Sequence, residues 1–149
     1  MPRTRGLAHV NLHVSDMDRS VQFYSEVFGL ELLSEGTEKI QSKGQSVELH
    51  QVLLSTPGRQ DLLALTHAPS IPIGSAGLNH IGFNFESDED VQIAVETALR
   101  HGGKIIKEGE REARGIREIF AYVADPDGYS IEMSTQAVIL SAKHESNPE

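Results

Sequence analysis

GLAHVNLHVSD at Gly6–Asp16 returns as GLNHIGFNFESD at Gly77–Asp88, an offset of 71 residues that sets His9 on His80. The echo continues downstream. Val21-Gln22 recurs as Val91-Gln92, and Asp61-Leu62-Leu63-Ala64-Leu65 aligns with Tyr129-Ser130-Ile131-Glu132-Met133. Solenoid repeats run to roughly 20 to 50 residues, so this longer period reads as a fused duplication of one module. A copy of about 65 to 70 residues is marginal alone, and the two are expected to share a core.

Leu7 to Val14 alternates apolar and polar residues and reads as a strand. Ser15-Asp16 then offers an N-cap, and Met17, Val21, Tyr24 and Phe28 mark a helical stripe ending at Gly29. Strands follow near Leu30 to Gly36, over Val47 to Ser55 and over Asp61 to Thr66, with a turn at Thr56-Pro57-Gly58. The second copy repeats the plan. A strand over Leu78 to Phe85 leads into a capping box at Ser87-x-x-Asp90, and Val91, Val95, Ala98 and Leu99 carry a helix to Gly102-Gly103. Strands near Lys104 to Lys107, Glu118 to Val123 and Tyr129 to Ser134 complete it. Thr37 to Ser46 and Gly109 to Arg117 are left as loops, the usual carriers of substrate choice.

The expected fold is therefore α+β, two β-α-β-β-β modules with mixed or antiparallel sheets. Residues 1–136 would form one domain: module one at about 6–66, a Pro-, Ser- and Gly-rich linker at 67–76, and module two at about 77–136. A polar tail, 137–149, would fray. Thirteen basic against twenty-two acidic residues, a formal charge of −9, argue against nucleic acid, whose phosphates need clustered cations. The absence of cysteine excludes disulfides and thiolate metal sites and is compatible with a cytoplasmic location. MPRTRG lacks the apolar core of a signal peptide, and no apolar run approaches the length of a membrane span.

Strand alternation places His9, Asn11 and His13 on one face and Val10, Leu12 and Val14 on the other. The second copy sets His80, Gly82 and Asn84 against Ile81, Phe83 and Phe85, and Glu132 lies between Ile131 and Met133. A lone histidine on a polar strand face ordinarily meets only water. Two at repeat-equivalent positions, with a carboxylate in the last strand, make a two-His-one-carboxylate set suited to Fe(II), Mn(II) or other divalent ions. His9, His80 and Glu132 are the candidate metal ligands, and a buried, unpaired Glu132 would be costly without a cation. If the turn at Asp125-Pro126-Asp127-Gly128 sets Val123 opposite Tyr129, Tyr122 shares the face of Glu132. Tyr122 is then the candidate catalytic residue, able to hydrogen-bond a substrate oxygen. Asn11, His13, Asn84 and Phe120 are candidate substrate-binding residues.

These paired motifs, the helix DMDRSVQFYSEVFGLEL and the closing DPDGYSIEM resemble the vicinal oxygen chelate superfamily, the glyoxalase, bleomycin resistance and extradiol dioxygenase group, over about Gly6 to Ser134. The resemblance implies sheets forming a cup around a divalent metal, with His9, His80 and Glu132 as ligands. It also implies a substrate with adjacent oxygens and a homodimer. Glyoxalase I and its epimerase relatives use a further Glu or Gln where this chain has Ala64. The three-ligand set and Tyr122, ten residues before Glu132, look instead like extradiol dioxygenases and fosfomycin thiol transferases. Ring-cleaving dioxygenase chemistry on Fe(II) or Mn(II) is the preferred expectation. A glyoxalase-like lyase or isomerase, or a transferase, using Mn(II), Ni(II) or Zn(II), is the alternative, with Asp61, Glu48 or His50 as a replacement base. A metal-free small-molecule-binding protein is a third.

Overall fold

In a computed structural model, which describes residues 1–74, 76–138 and 140–141, Asp16 opens helix α1 (Met17–Phe28) by accepting from the Arg19 amide. Gly29 closes it at φ 66°, a left-handed conformation that glycine adopts without a Cβ penalty. Around α1 lie β1 (Val10–His13), β2 (Glu31–Ser42), β3 (Gln45–Ser55) and β4 (Leu63–His67). The sheet order is β1-β4-β3-β2, with β1 parallel to β4 and the other pairs antiparallel. The second set repeats this plan. β5 (Ile81–Asn84), α2 (Asp88–Arg100), β6 (Lys104–Ala113), β7 (Ile116–Ala124) and β8 (Ser130–Ser134) give the order β5-β8-β7-β6, with β5 parallel to β8. Ser87 caps α2 through the Asp90 amide. The duplication expected from the sequence is thus a repeat of topology.

The chain divides into two compact units, Met1–Gly74 and Ser75–Glu149. In each, one sheet face packs on the helix. Leu12, Val14, Val52, Leu54, Leu63 and Leu65 are buried with Phe23, Tyr24 and Val27 of α1. Ala121, Val123, Ile131 and Met133 are buried with Val91, Ala94, Val95 and Ala98 of α2. Each large apolar side chain so placed contributes about 1.5–3 kcal/mol. The helical stripes are rotated from expectation: Ser20, Phe23 and Val27 are buried rather than Val21 and Phe28, and Leu99 is exposed.

Other expectations are corrected. The two presumed loops are strand hairpins, closed by Lys43-Gly44 and Arg114-Gly115, all four at positive φ. Positive φ at both central residues matches the twist of the flanking strands, so each hairpin extends the sheet where polar sequence suggested a loop. His67, assigned to the linker, ends β4. Ala137, assigned to the tail, donates its amide to Glu118, whereas 142–149 lie outside the described residues. Among the described residues no helix is long and apolar enough to cross a membrane.

Candidate functional site

The sheet face turned away from α2 carries a row of register partners: Lys107, Tyr122, Glu132 and Gly82. The next rows are Gly109, Phe120, Ser134 and Asn84, and then Arg111 with Glu118. Tyr122 thus lies directly opposite Glu132, two residues from the expected register. The reason is the turn. Asp125 pairs with Tyr129 across Pro126-Asp127-Gly128, its carboxylate accepting from the Asp127 and Tyr129 amides, and Gly128 has φ 91°. A shift of two preserves the face, because side chains alternate with a period of two.

Glu132 is buried, and its two oxygens have different company. Oε1 accepts from Arg111 Nη2 at 2.8 Å and Gln136 Nε2 at 3.3 Å. Oε2 accepts from the Tyr122 hydroxyl at 3.1 Å and faces His80 Nε2 at 3.0 Å. Burial alone would raise the Glu132 carboxyl, but Arg111, Tyr122 and Gln136 together hold it below the usual carboxylate range. Burial and the neighbouring Glu132 charge push the Tyr122 phenol up, so it stays protonated at neutral pH and acts as a donor. The cation that a buried Glu132 was expected to need is supplied on Oε1 by Arg111.

Arg111 ties the face together. Its Nε donates to Glu118 at 2.7 Å and its Nη2 also reaches the Ser134 hydroxyl at 3.0 Å. Glu118, 1% exposed, takes further donors from Thr135 at 2.7 Å and the Ala137 amide at 2.8 Å. Burial would raise this carboxyl too, and Thr135, Arg111 and Ala137 outweigh it and depress it. Sequence reading passed over Arg111 and Gln136. The position of Gln136 at φ 60°, sparsely populated by non-glycine residues, is a signal only the backbone reveals.

His80 precedes β5, and its Nδ1 meets the Asn79 side-chain oxygen at 2.6 Å. An amide oxygen only accepts, so Nδ1 carries the proton and Nε2 is turned to the carboxylate. Such a nitrogen meets a carboxylate oxygen either through a second ring proton or through a cation. Two adjacent ligands of an octahedral ion, each about 2.1 Å from it, lie about 3 Å apart. The observed 3.0 Å fits that separation. The Asn79 contact is of the kind that orients metal-bound histidines. The pair thus fits a divalent ion, although among the described residues no group of three or more His, Asp or Glu side chains gathers as a metal cage.

The remaining candidates are placed separately. Phe120 lies across Gly109, where an added Cβ would come within 3.4 Å of the ring, and Lys107 and Arg111 flank it as cation–π partners. Asn84 is exposed at the end of β5. In the first unit, His9 is exposed and precedes β1, Asn11 accepts from the Thr66 hydroxyl at 2.9 Å, and His13 is half-buried beside Thr66. None of the replacement bases stands beside Ala64. Leu53 is its β3 partner, so alternation turns Glu48 and His50 to the opposite face, where His50 pairs with Glu35. Asp61 is engaged with the Thr56 amide.

A family profile described as Glyoxalase/Bleomycin resistance protein/Dioxygenase superfamily matches residues 6–133. A probable lactoylglutathione lyase of Synechocystis is 30% identical over 130 residues, covering 85% of this chain and 92% of that protein. A probable chloroplastic lactoylglutathione lyase of Arabidopsis thaliana is also 30% identical, over 87% of this chain, but this chain spans only 35% of its length. Among solved structures, a point variant of the Listeria monocytogenes fosfomycin resistance protein FosX, complexed with Mn(II) and dihydroxypropylphosphonic acid, superposes with a TM-score of 0.67 at 19% identity. That alignment covers 96% of this chain and 99% of FosX and shows a common fold.

Proposed function

Since the chain belongs to the glyoxalase/bleomycin resistance protein/dioxygenase superfamily, we propose that it is a divalent-metal-dependent enzyme acting on a small molecule with adjacent oxygens, of the lyase or isomerase kind. The observation that carries this reading is the His80 Nε2–Glu132 Oε2 pair at 3.0 Å, with the imidazole proton fixed on Nδ1 by Asn79. Its relatives named as lactoylglutathione lyases support the lyase kind over the dioxygenase preferred from sequence. A divalent ion held there would supply Lewis acidity and a template for two oxygens. His80 and Glu132 Oε2 would hold the ion, and the Tyr122 O–H, which otherwise goes to Oε2 at 3.1 Å, would turn to oxygen charge developing on the substrate. Phe120, Asn84, Asn11 and His13 belong to the same proposal as substrate contacts. His9, read from the repeat alone, stays in it as the third ligand, with Mn(II) or Fe(II) favoured, and so does a homodimer.

Ala64 sustains a second reading. With no carboxylate in the first unit's equivalent of Glu132, extradiol-type ring cleavage needs fewer acid–base groups than isomerisation. The test is a titration of chelator-free protein with Mn(II), Ni(II), Zn(II) and, anaerobically, Fe(II), followed by two assays. One bound ion per chain is expected, and His80→Ala, Glu132→Ala and His9→Ala should each cost more than the roughly 10- to 100-fold typical of outer-shell losses. Lactoylglutathione turnover with proton exchange in heavy water supports the lyase. Oxygen uptake with catechols supports ring cleavage instead. Protein that binds none of these ions is left with small-molecule binding alone.

A further inference from the structure

We propose that Arg111 is a positioning residue that divides the work of the Glu132 carboxylate, fixing Oε1 as a structural atom so that Oε2 alone is presented to His80 and a bound cation. This rests on the metal-binding reading above and extends it to residues in β6 and beyond β8. Three observations carry it. Arg111 donates to Oε1 at 2.8 Å, whereas His80 and Tyr122 address Oε2, so the guanidinium does not stand where a cation would. The guanidinium is itself held by Glu118 at 2.7 Å and Ser134 at 3.0 Å, with Phe120 against it. Gln136, at φ 60°, brings its amide to the same oxygen while also donating to Ser134 at 2.8 Å. An arginine fork held at both ends fixes a carboxylate's rotation as a lysine, a point charge, does not.

A carboxylate so clamped binds one-sidedly and does not swing away as a mobile base. Arg111 therefore tightens metal binding although it adds a like charge nearby. Orientation outweighs repulsion here, because a freed carboxylate must be re-ordered each time an ion binds.

The test compares wild type, Arg111→Lys and the double variant Arg111→Met/Glu118→Gln. The lysine variant keeps the charge and loses the fork. The double variant keeps the net charge of the network and removes Glu118 together with its partner, leaving Glu132 to the Tyr122 and Gln136 donors. Free Mn(II) counted by electron paramagnetic resonance gives the dissociation constant, and chemical unfolding without metal checks the fold. The expected result is a Kd for Mn(II) raised about 10- to 100-fold in both variants, with a changed signal of the bound ion at saturation and Arg111→Lys unfolding near wild type. An unchanged or tighter Kd in either folded variant overturns the proposal while leaving the metal reading intact. Wild type that binds no Mn(II), Fe(II), Ni(II) or Zn(II) defeats both.

Discussion

The two units share a topology and differ in what their equivalent faces carry. Register aligns the second unit's Lys107–Tyr122–Glu132–Gly82 with the first unit's Ser34–Leu53–Ala64–Asn11. Arg111–Glu118 corresponds in the same way to Glu38–Leu49. Even the strand irregularities coincide, between Leu32 and Ser34 and between Ile105 and Lys107. One copy therefore gathers Arg111, Glu118, Tyr122 and Glu132 on its face, while the other has Leu49, Leu53 and Ala64 at the matching positions and Glu38 where the arginine stands. Duplication supplied two scaffolds, and only the second retained a buried carboxylate together with the arginine that makes it tolerable. A buried charge needs its partner set, so the carboxylate and Arg111 form a unit that one substitution in the first copy would not recreate.

Restoring symmetry at Ala64 should give the largest effect. Ala64 is 1% exposed, and the position matching Arg111 holds Glu38. Ala64→Glu buries a carboxyl without an arginine, which should cost several kcal/mol. Its folded pKa would lie above the unfolded value, so the loss grows as pH rises from about 5 to about 8. Urea midpoints at the two pH values check this; equal destabilisation at both would break the comparison.

Next comes Glu118→Ala against Leu49→Ala. Removing one partner of a buried ion pair should cost about 3–5 kcal/mol. Truncating half-buried Leu49 should cost less than the roughly 2–5 kcal/mol of a full core site. Acid tests the same network. Glu118 and Glu132 have depressed carboxyls, so their contribution is complete above the ordinary value of 4.5 and drains away as pH falls below it. Stability of wild type should drop more steeply below about pH 4.5 than that of the Arg111→Met/Glu118→Gln variant. Parallel acid titrations of the unfolding free energy check this.

The smallest effect belongs to Tyr122→Phe. It removes one donor from Glu132 Oε2 and should lower stability by about 1.5–3 kcal/mol, the range for hydrogen bonds reaching a charged group. Leu53, its first-unit equivalent, carries no such bond, and Leu53→Met should change stability by less than about 1.5 kcal/mol. Unfolding curves for the two variants sharpen the contrast.

Much of the molecule is legible in its residues. The GLAHVNLHVSD/GLNHIGFNFESD echo announces two copies, Asp16 and Gly29 mark a helix, and alternation puts His80 and Glu132 on one face. The hairpin tips are not legible. Lys43-Gly44 and Arg114-Gly115 lie among polar residues that read as loop, and only backbone twist makes them tight turns. Tyr122 comes to the right face through a register misjudged by two residues, an error that a period of two forgives.

What the sequence determined by itself was the module, its repetition and the asymmetry of Ala64 against Glu132, because these follow from residue identity and local periodicity. The tertiary structure alone decided that Arg111 meets Glu132. The β6–β7 register slips by one residue between Ile105 and Lys107, and a one-residue slip moves every later side chain to the other face of the sheet. Lys107, Gly109 and Arg111 reach the Tyr122 face through that slip, which pairing across strands creates and no local pattern encodes.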